Sequence, residues 1–101
     1  MLDRFENAYA QEKLVLAFEY GAELEPGETL TGTPTAAVTV LQGIDPAPDT
    51  LLNGAPLIVG SDVLVPIDPT VADVDYRIKV VVPTSNPQKV LACVGRLYVE
   101  P

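Results

Sequence analysis

The chain has 101 residues, of which 48% are hydrophobic and 20% charged, so its composition predicts one globular domain rather than a disordered segment. Its formal net charge of -8 disfavours nucleic-acid binding, which depends on cationic side chains, and favours basic partner surfaces or bound cations. The chain contains no histidine and a single cysteine, Cys93, which excludes an intrachain disulfide and removes the commonest general base and zinc ligand.

The first segment of the chain, residues 1–12, does not share the pattern of the rest. Leu2, Phe5 and Tyr9 are spaced three and four apart, as on one helical face, but so short a helix is marginal without a partner surface. The segment is mixed in charge and lacks the apolar stretch of a signal peptide, and no apolar run approaches the roughly 20 residues of a membrane span. We therefore expect an N-terminal arm over residues 1–12, extended or in a short helix, before a domain over residues 13–101, made in a reducing cytoplasm.

Short alternating runs separated by turn signals begin at residue 13. The run "KLVLAFEY" has one apolar phase, formed by Leu14, Leu16, Phe18 and Tyr20. Pro26 and Gly27 then form a type II turn signature, because glycine tolerates the positive φ at the third turn position. The run "TLTGTPTAAVTVLQG" predicts a strand interrupted near Pro34, since proline cannot donate to a central ladder.

The second half of the chain predicts further antiparallel strands. "LLNGAPLIVGSDVLVPID" indicates short strands around a turn at residues 60–62, and "NG" at residues 53–54 would be a hairpin turn if its flanking strands pair. "VADVDYRIKVVV" alternates over residues 71–82, and after a polar turn "VLACVGRLYV" returns antiparallel. In that last strand, Gly95 indicates a bulge or a close neighbour.

Ten prolines and seven glycines divide the chain at the short intervals typical of a sandwich or barrel. Tyr76 opens the longest alternating run, directly after an acidic turn. In immunoglobulin-like sandwiches, a tyrosine near the start of the sixth strand bonds to the backbone just upstream and fixes the corner between the sheets. The sequence therefore predicts an all-β, immunoglobulin-like antiparallel β-sandwich of about seven short strands, with Tyr76 as a structural tyrosine corner. The alternative for Tyr76 is an ordinary half-buried tyrosine on a strand.

The polar residues form no arrangement typical of catalysis or metal binding. Asp73 and Asp75 are interpreted as a solvated turn, and three acids could accept a cation but lack regular ligand spacing. These three, around the Pro26–Gly27 turn, are Glu23, Glu25 and Glu28. Ser61 has no histidine to activate it, and Cys93 is interpreted as an inert core residue in the apolar phase of its strand. We predict no catalytic, cofactor-binding or metal-binding residues, and no enzymatic activity.

Two stretches resemble a pattern found in small virion proteins of tailed bacteriophages. In "LVLAFEYGAELEPGETL" the matching positions are Phe18, Glu19, Tyr20, Leu24, Gly27, Glu28, Thr29 and Leu30. The closing stretch "YRIKVVVPTSNPQKVLACVGRLYV" resembles the final hairpin of that family. The family commonly has tryptophan where this chain has Tyr20, and its final hairpin often has a glycine-containing turn in place of "SNPQ".

The resemblance implies an immunoglobulin-like virion structural protein present in multiple copies and without catalytic residues. It favours a tail or fibre adaptor, with a capsid decoration protein or a free-standing binding module as alternatives. The implied partners are other virion structural proteins in a symmetric assembly, with neither nucleic acid nor membrane among them. The implied location is the virion, after synthesis in the bacterial host cytoplasm.

The three large apolar residues of the arm suggest a hypothesis about assembly. Leu2, Phe5 and Tyr9 lie outside the strand pattern and could anchor the subunit on a neighbour, as terminal arms and exposed sheet edges do. The alternative is that they cap the core of their own domain.

Overall fold

The computed structural model describes residues 2–101, with side chains described from residue 5 onwards, and it confirms the predicted all-β sandwich. The described residues form eight strands and two short 3₁₀ turns. The strands are β1 (Leu2–Arg4), β2 (Ala8–Tyr9), β3 (Leu14–Glu19), β4 (Thr35–Gln42), β5 (Leu57–Val59), β6 (Asp62–Ile67), β7 (Val74–Pro83) and β8 (Val90–Glu100). The 3₁₀ turns are Gly21–Glu23 and Pro48–Leu51.

The strands form two sheets. In the larger sheet β4, β7 and β8 are antiparallel neighbours, and both β1 and β2 pair in parallel with β8. In the smaller sheet the order is β3, β6, β5, with both pairings antiparallel. These groups correspond to the CFG and BED sheets of the immunoglobulin fold, with the first strand, interrupted between β1 and β2, placed beside the last.

The core lies between the two sheets and is built from the inward phase of each strand. Leu16 and Phe18 of β3, in the predicted apolar phase, are at most 7% exposed, and Tyr20 directly after this strand is 1% exposed. The facing side chains from β6, β7 and β8 are equally buried. They include Val63, Val65, Ile67, Tyr76, Ile78, Val80, Cys93, Leu97 and Val99. The alternation of side chains along each strand therefore places an apolar layer on the inner face of each sheet, because successive side chains point to opposite faces.

The turns lie where the proline and glycine signals of the sequence predicted them, except at residues 53–54. The Glu28 N–H donates to the Glu25 carbonyl at 2.9 Å, and Gly27 has a φ of +86°, which confirms the predicted turn. Strand β4 begins directly after Pro34, and residues 60–61 connect β5 with β6. No hairpin forms at residues 53–54, because the Asn53 N–H instead donates to the Pro66 carbonyl.

Gly95 of β8 has the close neighbour that the sequence indicated. A Cβ atom at this position would lie 2.3 Å from Phe5 Cε2 and 3.0 Å from Phe18 Cε2. Such distances are far inside van der Waals contact, so the missing side chain makes room for the Phe5 ring. A single glycine thus allows the N-terminal segment to lie against the last strand.

The N-terminal segment adopts the extended one of the two predicted conformations. Leu2–Arg4 pairs in register with residues 94–96, and Ala8 and Tyr9 pair with Val99 and Glu100. Ala8 is fully buried. The spacing of apolar residues that suggested a helical face therefore belongs to an interrupted edge strand.

Candidate functional site

Tyr76 lies at the start of β7 with its side chain buried, and its hydroxyl donates to Asp45 Oδ2 at 2.5 Å. This partner differs from the backbone group just upstream that a tyrosine corner would bond. The other carboxylate oxygen of Asp45 accepts the Ala47 N–H at 2.9 Å, so the side chain also holds its own loop. Burial, followed by the Asp45 hydrogen bond, raises the pKa of Tyr76. Tyr76 therefore joins β7 to the loop after β4. Its acceptor is a carboxylate, which accepts a stronger hydrogen bond than a neutral backbone carbonyl.

Replacing Tyr76 by phenylalanine should lower the free energy of unfolding by about 1 kcal/mol, the typical net value of a hydrogen bond. Asp45→Ala should cause a larger loss, because it also removes the acceptor of the Ala47 N–H, and the double variant should lose less than the sum of the two, because both changes remove the Tyr76–Asp45 bond. Urea denaturation measures these differences, with Tyr9→Phe on the exposed Tyr9 as the matched control. A loss no greater than that of the control would exclude a stabilising role for the Tyr76–Asp45 bond.

The three candidate arm residues have different positions. Phe5 is half-buried and meets Phe18 edge-on, with ring centroids 5.1 Å apart and an interplanar angle of 66°. Tyr9 is 53% exposed. Leu2 is placed opposite Val94 by backbone register, and its side chain lies outside the described ones. Phe5 therefore caps its own core, as in the second of the two hypotheses, while a role in assembly stays a prediction.

Two shallow depressions are formed by side chains from residue 5 onwards. One, of about 480 Å³, lies beside the N-terminal segment and is lined in part by Phe5, Tyr9 and Val15. The other, of about 440 Å³, lies where β7 begins and contains Asp73 and Asp75. Both are open to solvent and neither brings together an acid–base pair with a nucleophile.

The interpretation of Asp73 and Asp75 as a solvated turn is correct for only one of them. Asp73 is exposed in the turn and accepts the Tyr98 hydroxyl at 2.9 Å. Asp75 belongs to β7 and is 7% exposed, because the Arg96 guanidinium covers it. Arg96 Nε donates to both carboxylate oxygens, at 3.1 and 3.0 Å. The hydrogen bond to Asp75 raises the pKa of Arg96.

A lysine occupies the position where the acidic turn could have held a cation. Lys89 Nζ lies 2.8 Å from Glu28 Oε1 and 2.6 Å from the Glu23 carbonyl oxygen. The hydrogen bond from Lys89 lowers the pKa of Glu28. Among the residues from 5 to 101, no group of three or more acidic or cysteine side chains is arranged to hold a metal ion. The turn between β3 and β4 is therefore tied to the turn between β7 and β8 by the protein's own ammonium group.

The outer face of the larger sheet is cationic in the middle. Arg77 and Arg96 lie directly opposite each other on β7 and β8, and Lys79 follows on the same face. Arg4 is in register with Arg96 on the other side of β8. Arg77 and Lys79 form no ion pair with any side chain from residue 5 onwards. Since the chain has six cationic residues in all, half of them share this cationic face, defined here by Arg77, Lys79 and Arg96.

The outer face of the smaller sheet is apolar in the middle. Its central row consists of Ala17, Leu64 and Leu57, one residue from each strand. Val15 and Pro66 form the row beside it, and Val59 lies at the edge. Val15, Leu57 and Val59 are 50–61% exposed. We call these six residues the apolar face; contiguous exposed apolar surface of this kind is typical of protein-binding sites.

Neither outer face could be recognised from the sequence, because the outward phase of a strand at the surface of a sandwich is ordinarily expected to face solvent. One signal was present: Val15 and Ala17 are apolar residues in the outward phase of "KLVLAFEY", where polar residues are expected. The clustering of cations could not be read in the same way, because it depends on which strands are neighbours. Register, rather than composition, brings Arg77 and Arg96 together.

No helix within residues 2–101 is long and apolar enough to cross a membrane. A scan against protein-family models and a search of curated proteins gave no match for this chain.

Proposed function

We propose that this chain is a structural protein of a tailed-bacteriophage virion, present in multiple copies and acting as an adaptor between tail and fibres. The sequence resemblance supports the virion assignment. The observation that carries the adaptor role is the contrast between the two outer faces, one apolar and one cationic. An adaptor needs two distinct docking surfaces, whereas a decoration protein needs one broad footprint on a shell.

The geometry of the sandwich allows both faces to be used at once. The two sheets pack against each other through their inner layers, so their outer faces point in opposite directions. The molecule measures 43 × 21 × 21 Å along its principal axes. A neighbour on either face would therefore leave the other face accessible.

The cationic face suits an acidic surface on a neighbouring virion protein. Arg77 and Arg96 are like charges directly opposite on adjacent strands, an arrangement that destabilises an isolated sheet. Arg96 is compensated by Asp75, but Arg77 and Lys79 have no ion-pair partner among the described side chains. Carboxylates on a partner would neutralise these charges, so the arrangement favours binding more than folding.

The virion assignment is tested by locating the protein in gradient-purified particles of its source phage with gold-labelled antibody. We expect label at the junction between tail and fibres. Label over the head surface would replace the adaptor role with decoration. Particles free of the protein would contradict the proposal and favour a free-standing binding module.

A complementation experiment tests the cationic face. Phage lacking the gene would be supplied in trans with the Arg77→Gln/Lys79→Gln variant, and the protein in purified particles would be quantified. Incorporation should fall at least about tenfold, the equivalent of 1.4 kcal/mol of binding free energy. The control is Thr33→Glu/Gln88→Glu, which changes the net charge equally at exposed loop positions. Equal incorporation of the two variants would exclude the cationic face as the docking surface.

A further inference from the structure

A segment after the second 3₁₀ turn runs along β6, on the side away from β3, and a bulge interrupts its pairing. Leu52 forms a bridge with Ile67, and pairing resumes where Leu57 lies opposite Leu64. Between these two pairs β6 advances three residues and the other segment five, so two extra residues leave the ladder. We call residues 53–56, which connect the two pairs, the bulge.

The bulge begins with Asn53 and Gly54, and both residues are exposed. The Asn53 N–H donates to the Pro66 carbonyl at 2.9 Å, which holds the start of the bulge on β6. Within the described part of the chain, neither the Gly54 N–H nor the Asn53 side-chain amide forms a hydrogen bond. A Cβ atom placed on Gly54 would meet nothing beyond its chain neighbours within 4 Å, so this N–H is open to water and to the Asn53 side chain.

We propose that Asn53 is a site of spontaneous deamidation. The Gly54 nitrogen attacks Asn53 Cγ and forms a five-membered succinimide ring; the Cγ–Nδ2 bond breaks, and the amide proton leaves with the nitrogen as ammonia. Water then opens the ring at either carbonyl, which gives aspartate or isoaspartate, and no oxidant or reductant takes part. The attack is intramolecular, so the reacting groups are already held together, and glycine has no side chain to obstruct the approach.

The other two asparagines of the chain each lack a requirement of this reaction. Asn86 precedes Pro87, which has no N–H, and its side chain already accepts the Gln88 N–H at 3.1 Å. Asn7 precedes Ala8, which is fully buried where β2 pairs with β8. The structure therefore favours deamidation at the asparagine in the bulge.

Deamidation would add a carboxylate beside the apolar face. Pro66, which accepts the Asn53 N–H, belongs to this face and lies opposite Val15. An aspartate side chain is ionised at neutral pH, so a chain with a net charge of -8 gains one more negative charge there. A partner that covered the face would have to desolvate this charge, which weakens binding. This consequence rests on the proposed adaptor role, whereas deamidation itself does not.

Incubation of the folded protein at mildly alkaline pH tests the site, with tryptic peptides followed by mass spectrometry. Trypsin cuts after Lys13 and Arg77, which separates Asn53 from Asn7 and Asn86. The Asn53 peptide should gain the mass difference between a hydroxyl and an amino group at least about tenfold faster than the other two. Protein isoaspartyl methyltransferase should then label this peptide. Equal rates at the three asparagines, or a product without label, would overturn the proposal.

Two further comparisons test the role of the bulge. In urea that unfolds the chain, the rate at Asn53 should stay within about tenfold of the rate in the folded protein, because the fold leaves the reacting groups free. A folded protein that reacts more slowly than this would show that the structure protects Asn53 and would contradict the proposal. Asn53→Gln should abolish the mass change in the same peptide, since its longer side chain would have to form a six-membered ring. Circular dichroism of this variant confirms that the exposed substitution leaves the fold intact.

Discussion

Phe5→Ala should lower the free energy of unfolding by about 3 kcal/mol, the lower end of the range for phenylalanine-to-alanine changes, because Phe5 is half-buried. The ring fills the space over Gly95 and meets Phe18 edge-on, so its loss opens a cavity at the end of the core. Urea denaturation followed by circular dichroism measures the change. Tyr9→Ala is the matched control in the same segment, and its exposed side chain should contribute within about 0.5 kcal/mol.

A double-mutant cycle with Gly95 tests the same contact from the opposite strand. Gly95→Ala alone should cost roughly 1–3 kcal/mol, because its Cβ would lie 2.3 Å from the Phe5 ring. In the Phe5→Ala background the added methyl group should cost much less, since the ring is gone and space is available. Strict additivity, or a Phe5→Ala effect equal to the Tyr9→Ala effect, would mean that Phe5 is not part of the core. In that case the segment would be free to act as the assembly arm.

Tyr20→Phe should lower the free energy of unfolding by about 1.5 kcal/mol, the upper end of the typical net value of a hydrogen bond, because this bond is buried between the sheets. The Tyr20 hydroxyl donates to the Val80 carbonyl at 2.8 Å and so links the end of β3 in one sheet to β7 in the other. Burial raises the pKa of Tyr20, which keeps the hydroxyl protonated and able to donate. The substitution removes this donor without changing the shape of the ring.

Tyr98→Phe provides the control for this second prediction. The Tyr98 hydroxyl also donates a hydrogen bond, to Asp73, but the bond is accessible to water. Its removal should change stability by no more than about 0.5 kcal/mol. Equal losses for the two variants would show that the link between the sheets contributes no more than a surface hydrogen bond.

The sequence predicted the architecture well because alternation within a strand is a local property. The apolar phases of residues 13–20 and 71–82 correctly identified the buried sides of β3 and β7, and the Pro26–Gly27 signature correctly identified a turn. Long-range partners could not be predicted in this way. Tyr76 was assigned a backbone acceptor nearby, whereas its actual partner, Asp45, lies in a loop that no local pattern connects to β7.

The candidate docking faces were harder to predict than the fold. Each face is formed by residues from strands that are distant in sequence, as in the row of Ala17, Leu64 and Leu57. The register of strand pairing decides which residues share a row, and it is set by the whole sheet rather than by a short stretch. The N-terminal segment was ambiguous for a similar reason, since its conformation depends on Gly95 in the last strand.

The parallel pairing of β1 and β8 has a consequence for biosynthesis. Leu2 is in register with Val94, so β1 and β8, which are far apart in sequence, are immediate neighbours in the sheet. Contacts between such distant parts of a chain form slowly, because a long loop must close before they contribute. On the ribosome, β1 must remain unpaired until β8 emerges, which leaves a period in which chaperones or another nascent copy could capture it.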